Sequence, residues 1–503
     1  MMEAEGITAM QSASSALDYA DTKRRSMILP KKQRLEQYFS SAPLARLMAS
    51  MMDYPQEDIS ILDPGAGVGS LFAACIEEVC GLERPPRSVS LFAYEVDPAL
   101  WDSLGDSLGR VGEMCERRDI RFSGNLLKRD FVSDYSRGVA PHGFTHAIMN
   151  PPYGKISVSS KPYEDLRRVG LQTTNTYAAF VAISQNMLGD GGQMVFISPR
   201  SFCNGTYFDP FRKRLLESMA LRRIHLFGSR TSPFRDDSVL QENVIIHAEK
   251  RGHPGMVVVS SSAGPRDRVE GRRVDSSKVV FDDDPRRFIH IVPDAAGARI
   301  SSRVRGLECT LDNLGLGVST GRVVDFRIRD ELRPGATDGA VPLVRPFNIS
   351  GGTMAFPIEG RKHHNFIMES EKSKKLLVEN GSYVLVKRFT TVEEKRRVVA
   401  AVWTGKEYGT KLVGFENRTN YLHRDGGGLD LLTARGLWAF LNSTVVDSYF
   451  RQFNGSTQVN ATDLRYLRYP SEGRLRRLGA AVPDGRPEQE ILDNTVEGLL
   501  FGS

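Results

Sequence analysis

Along the first half of the chain apolar positions recur with two alternating periods, and that alternation predicts a fold. Ile59-Ser60-Ile61-Leu62-Asp63 is an apolar run of strand length, and Leu71, Phe72, Cys75, Ile76 and Val79 then return at helical spacing. Residues 88–96 predict a second strand, 120–122 a short third and 144–149 a fourth. Residues 175–188 carry the pattern of an amphipathic helix. A fifth strand at 193–197 follows the Gly191-Gly192 turn, and runs at 221–227 and 244–247 are placed to close a sheet. Strands alternating with helices imply an α/β fold whose sheet is mostly parallel and doubly wound.

Outside this region the pattern changes. Residues 1–30 are polar, small and weakly patterned, which predicts a flexible arm ahead of an α/β domain at 31–250. Clusters of Gly, Pro, Ser and Arg with short Val runs make 251–290 a connection. Residues 291–503 mix short strands, helices and loops, as in a second domain of mixed α+β type. There is no internal repeat and no low-complexity tract.

Composition narrows the class. A chain of 503 residues can fill two or three cores. No run approaches the roughly 20 apolar residues of a membrane-spanning helix, and residues 1–20 lack the basic start and apolar stretch of a secretory signal. Cys75, Cys80, Cys115, Cys203 and Cys309 form no Cys-x-x-Cys pair, so neither a disulfide framework nor a metal site is expected, and a reducing cytoplasm fits. A net charge of +6 permits a polyanionic partner without demonstrating one.

Two loops carry candidate chemistry. Asp63-Pro64-Gly65-Ala66-Gly67-Val68-Gly69-Ser70 lies between a strand and a helix. Glycines there let the backbone turn sharply and approach a ligand, and the helix start offers free N–H groups. Alone, such a turn serves several nucleotide-like ligands or none. Asp63 leads into the glycines, where a carboxylate suits an ammonium group better than a pyrophosphate. Glu95, after the second strand, reads by itself as a solvated strand-end charge; beside the glycine loop it reads as an acceptor of hydrogen bonds from two ribose hydroxyls.

The second loop is Asn150-Pro151-Pro152-Tyr153, after the fourth strand, where the ligand crevice of a doubly wound sheet opens. Two prolines stiffen it. An exocyclic amine on a base is a poor nucleophile because its lone pair is delocalised. The Asn150 side-chain oxygen and the Pro151 carbonyl can hold both amine hydrogens and draw the nitrogen toward tetrahedral geometry. Tyr153 offers a face for stacking. Positioning and electrostatics, rather than a strong base, supply the rate.

With these residues the chain resembles the amino-methyltransferases of bacterial restriction–modification systems, in the order with the cofactor loop first and the recognition domain last (the gamma class, TaqI-type). The resemblance covers most of 31–470. It implies a Rossmann-like methyltransferase domain, S-adenosyl-L-methionine as cofactor, and N6 of an adenine flipped from double-stranded DNA as acceptor. It further implies no metal, a monomer, and a functionally linked restriction endonuclease. Gln37, Tyr38, Phe39 and Ser40 resemble the motif that touches the methionine part of the cofactor, although the family has Thr-Pro where this chain has Ser40-Ser41. Asp63, Gly65, Ala66, Gly67 and Gly69 match the cofactor loop and Glu95 the ribose acid. Asp130 and Phe131 match the pair that reads the cofactor adenine, and Asn150 to Tyr153 the catalytic motif, which also borders the cofactor. Phe234 matches the aromatic ring that packs on the flipped base opposite Tyr153.

Four later segments resemble the PstI/BsuBI-like branch: 319–327, 386–389, 416–420 and 454–460. The branch implies recognition of a six-base palindrome of the CTGCAG kind. Lys387, Arg388, Gln458 and Asn460 are the candidate DNA contacts, since Arg and Lys bind phosphates or guanine and Asn or Gln reads adenine. Gln458 and Asn460 serve equally well as loop-fixing hydrogen bonders. N4-cytosine methylation, a protein or RNA amino-methyltransferase, and a non-catalytic DNA-binding subunit stand as alternatives. No nuclease constellation of the Pro-Asp…Asp/Glu-x-Lys type is evident.

Overall fold

Asp58–Asp63 forms β1, the strand from which the first half of the protein is organised in a computed structural model. The structure describes residues 15–26, 39–228, 242–359, 364–390, 395–405, 408–485 and 487–502. β1 pairs in parallel with β2 (Ser88–Tyr94) on one side and with β4 (Phe144–Met149) on the other. β3 (Arg121–Leu127) and β5 (Leu188–Pro199) extend the parallel set outward. β7 (Asn243–Lys250) enters antiparallel between β5 and β6 (Met219–Phe227). The order is β3-β2-β1-β4-β5-β7-β6-β8-β9.

Both faces of this sheet are covered, which is why the central strands are apolar throughout rather than alternating. One face is buried by α1 (Ala16–Ser26), α2 (Ala42–Ala49), α3 (Ser70–Gly81) and α4 (Trp101–Glu116), around Leu17, Ala45, Phe72, Cys75 and Val111. The other is buried by α5 (Phe131–Ser136), α6 (Lys161–Arg168), α7 (Thr176–Met187) and α8 (Asp209–Ser218), around Phe131, Leu166, Tyr177, Phe180 and Leu215.

Two expected boundaries change. Residues 16–26, placed in a flexible arm, form α1, and Leu17, Ala20, Asp21 and Arg24 bury one side of it. The helical spacing was present, but its buried side includes an ion pair, Asp21 with Arg24 at 2.9 Å, in place of apolar side chains. Residues 251–290, read as a connection, contain β8 (Met256–Ser262) and β9 (Glu270–Asp275), which widen the sheet. The Ser-rich end of β8 resembles loop composition. Its Ser260 and Ser262 hydroxyls instead face His225, each 3.0 Å from a ring nitrogen, so the strand is satisfied without apolar side chains there.

The chain divides into two units, the first ending at Pro293 and the second beginning at Asp294. The second holds a four-stranded and a five-stranded sheet together with helices, the mixed α+β character that the sequence predicts. Among the described residues no helix is long and apolar enough to cross a membrane.

Candidate active site

β2, β1 and β4 are neighbours in the sheet, so the residues at their carboxyl ends, Glu95, Asp63 and Asn150, come to one edge. The loop from β1 into α3 needs its glycines. Gly67 has φ of +58° and a Cβ there would lie 3.0 Å from the Phe39 ring. Gly69 has φ of +90° and a Cβ would lie 2.5 Å from Phe72. Glu95 holds this loop closed: one carboxylate oxygen accepts from the Gly67 N–H at 2.9 Å and the other from the Asp97 N–H at 2.7 Å. The Ala66 N–H donates to the Tyr94 carbonyl at 2.9 Å.

Asp63 is wholly buried behind the loop. Its Oδ1 accepts from the Gly65 N–H at 3.4 Å, whereas Oδ2 is buried without a well-formed hydrogen bond. Burial pushes its carboxyl up to about 8. Burial also raises Glu95, against the lowering effect of the N–H groups it accepts.

In front of the loop lies a cavity of about 650 Å³. Gly65, Gly67, Glu95, Asp130, Phe131 and Asn150 all line it, and Phe39 closes one side. Asp130 caps α5, accepting from the Ser133 N–H at 2.7 Å, and that bond fixes its carboxylate at the wall. Phe131 packs edge-on to Tyr94 and against Phe180, with ring centroids 5.1 Å away in both cases. The expected cofactor residues Ser40, Asp63, Ala66 and Gly69 do not reach the cavity surface; the last three shape the loop from behind. Sequence reasoning passed over Val96, Lys155 and Phe180, which also line it. Val96, an exposed apolar side chain directly after Glu95, was the signal available.

The Asn150–Tyr153 segment is pinned downstream at the start of α7: the Thr176 N–H donates to the Gly154 carbonyl at 2.9 Å and the Ile156 N–H to the Thr174 carbonyl at 2.8 Å. Pro151 is buried and Pro152 lines the cavity. Tyr153 packs edge-on to the buried Tyr177, 6.2 Å between centroids, and its hydroxyl donates to Asn150 Oδ1 at 3.3 Å. Asn150 Nδ2 donates to Ser40 Oγ at 3.3 Å. His146, four residues upstream, is buried, stacked on Tyr54 and pushed down to about 4 by burial, so it stays neutral and faces away from this site toward the Asp53 carbonyl. Gln37, Tyr38 and Phe234 lie outside the described residues.

In the second unit the four branch-like segments come together. The Gly321 N–H donates to the Thr419 carbonyl, the Arg388 N–H to the Arg418 carbonyl and the Val459 N–H to the Arg388 carbonyl. The Arg388 guanidinium donates to the Asn417 carbonyl at 3.3 Å and to Gln458 Oε1 at 3.2 Å. Asn460 precedes the helix Ala461–Arg465, and its N–H donates to Asp463 at 2.9 Å. Gln458 thus joins this junction through Arg388, and Asn460 caps the helix beside it. Lys387 lines a separate cleft of about 500 Å³ with Lys395 and Arg396. Phe389, an exposed aromatic with the Arg388 guanidinium 5.8 Å from its ring, was not among the candidates.

Residues 111–234 match the Eco57I restriction-modification methylase family. The chain is 38% identical to the type II methyltransferase M.PstI of Providencia stuartii, over 93% of both chains. It is also 38% identical to the type II methyltransferase M.BsuBI of Bacillus subtilis, over 96% of this chain and 98% of that one. Its fold is similar to that of the type IIL restriction-modification enzyme MmeI, solved in complex with DNA, with a TM-score of 0.54 at 11% identity over all of this chain and 76% of the other. A glycine loop clamped by Glu95, an Asn-Pro-Pro-Tyr edge and near full-length similarity agree: the chain belongs to the type II methyltransferases of restriction–modification systems, in the PstI/BsuBI-like branch.

Proposed function

We propose that this protein transfers a methyl group from S-adenosyl-L-methionine to the N6 amine of an adenine flipped out of a specific double-stranded DNA sequence, protecting that sequence from a functionally linked restriction endonuclease. It does so as a cytoplasmic monomer. The observation that carries this reading is the Asn150 amide, which lines the same cavity as Glu95, Asp130 and the glycine loop.

The cavity suits the cofactor. Glycine at 67 keeps the backbone close beneath it, Glu95 and Asp130 present carboxylates for ribose hydroxyls and an adenine amine, and Phe131 and Val96 give apolar faces to a purine. When bound, S-adenosyl-L-methionine supplies an electrophilic methyl carbon. The chain's own residues do the rest. Asn150 Oδ1 and the Pro151 carbonyl accept the two amine hydrogens of the target, localising the nitrogen lone pair toward the methyl. Tyr153 stacks on the base, with Tyr177 packed behind it. The family resemblance assigns the opposite face to Phe234. A buried amine in duplex DNA reaches such a site only after extrusion. The methylated nitrogen is acidic enough to lose its proton without a dedicated base, and His146 faces the Asp53 carbonyl, not the cavity.

The second unit selects the sequence. Its candidate contacts are Lys387 and Arg388, with Gln458 and Asn460 shaping the surface that presents them.

Asn150→Ala tests the reading. Methyl transfer to DNA falls by at least about a thousandfold, as when a preorganised acceptor at a reacting centre is lost, while the cofactor dissociation constant from calorimetry stays within about twofold, a change of about 0.4 kcal/mol. Transfer that survives the change removes the catalytic role from this loop.

A further inference from the structure

Ser40 stands apart from the cofactor residues with which its motif groups it. Its side chain is buried and does not line the cavity, and its Oγ accepts from Asn150 Nδ2 at 3.3 Å. At the other end of the same amide the Tyr153 hydroxyl donates to Oδ1, also at 3.3 Å. The structure assigns Ser40 as a positioning residue that holds the Asn150 amide oxygen toward the reacting amine, an inference that rests on the amine-methylation reading above.

The chemistry lies in the asymmetry of an amide. Its two ends are almost the same shape, yet one accepts and the other donates. Rotated by half a turn, Asn150 would present N–H groups to an amine whose own hydrogens need an acceptor. The two hydroxyls that flank it are not equivalent. A phenol, with a pKa near ~10, is far more acidic than an alkyl hydroxyl, so it is the better donor and the poorer acceptor. Tyr153 therefore favours the oxygen end and Ser40 the nitrogen end. An amide oxygen has two lone pairs, so the hydrogen bond from Tyr153 does not stop it accepting from an amine.

The backbone that carries Ser40 is held for this purpose by α1. Ala42, the first residue of α2, donates its N–H to Asp21 Oδ1 at 3.2 Å, and the same carboxylate is bound by Arg24. Asp21 is buried, and hydrogen bonding and charge from Arg24 keep its carboxyl below the usual range despite that burial. Ser40 thus immediately precedes a helix start that α1 braces.

Thr and Val have the same outline and differ at position 40 only in the hydroxyl, so Ser40→Thr and Ser40→Val isolate the oxygen. Ser40→Thr is expected to keep kcat for DNA methylation within about threefold. Ser40→Val is expected to lower kcat about tenfold or more, the loss of one hydrogen bond to a buried amide, with KM for DNA and the cofactor dissociation constant unchanged within about twofold. Ser40→Ala adds no bulk, and melting temperatures of all three show that each is folded. Equal kcat for the Thr and Val variants overturns the assignment. So does a loss confined to cofactor affinity, which would return Ser40 to the cofactor site. A wild-type protein that methylates no DNA amine fails earlier, and overturns the proposed function together with the role of Ser40.

Discussion

At the scale of single residues, burial decides more than identity. Asp63, read as a partner for a ligand's ammonium group, is completely enclosed by the fold and accepts a long hydrogen bond from the Gly65 N–H. Its pKa of about 8 lies above the ordinary carboxylate value of 3.8. A carboxyl raised on folding takes up a proton when the chain folds, so its ionisation stabilises the unfolded chain and stability falls as pH rises from about 4 to about 8. Asn at this position cannot ionise. The melting temperature of Asp63→Asn relative to wild type should therefore climb between pH 5 and 8 and level off above 8. A difference that stays flat across that range would place the carboxylate in a polar setting. The positions of Asn150 and Glu95 at the cavity were legible because each follows a strand end. The partnership of Ser40 with Asn150 was not, since 110 positions separate them and only the sheet edge brings them together. Arg388 and Gln458 were chosen for their hydrogen-bonding groups, and the fold turns those groups on each other.

Among the elements, those with apolar periodicity were readable and those built on polar satisfaction were not. β4 appears where the sequence predicts it, at Phe144–Met149, since four of its last residues are buried. β3 emerges longer than expected, because as an edge strand it leaves several positions exposed and its apolar signal is diluted. β5 begins at Leu188, ahead of the Gly191-Gly192 pair, which lies within the strand instead of before it. The helices Leu431–Leu441 and Glu472–Ala481 show a contact that no periodicity reports. A Cβ on Gly436 would lie 2.0 Å from the Leu475 carbonyl oxygen, and one on Gly479 would lie 1.9 Å from that of Leu432. Backbone cannot rotate out of the way as a side chain can. Gly436→Ala should destabilise the second unit by about 2 kcal/mol or more, despite the roughly 1 kcal/mol that Ala gains in helix propensity. The expected result is a melting transition lowered by several degrees, with weakened DNA binding and unchanged cofactor affinity. Unchanged melting would mean that the two helices part at little cost.

For the molecule as a whole, the chain divides into two units, and the proposed function gives methyl-transfer chemistry to the one ending at Pro293 and site selection to the one beginning at Asp294. The sequence reading assigned β8 and β9 to a connection, because the sheet is widened by strands whose serines answer a buried histidine. Relatives in the PstI/BsuBI-like branch match nearly the full length, so both units share one history. The central claim is that this pair of units methylates adenine N6 at one DNA sequence. Single-molecule sequencing of DNA from cells expressing the protein reports the modified base and its context together. N6-methyladenine is expected at one recurrent sequence, and is lost with Asn150→Ala. N4-methylcytosine, or no methylated base at all, would contradict it.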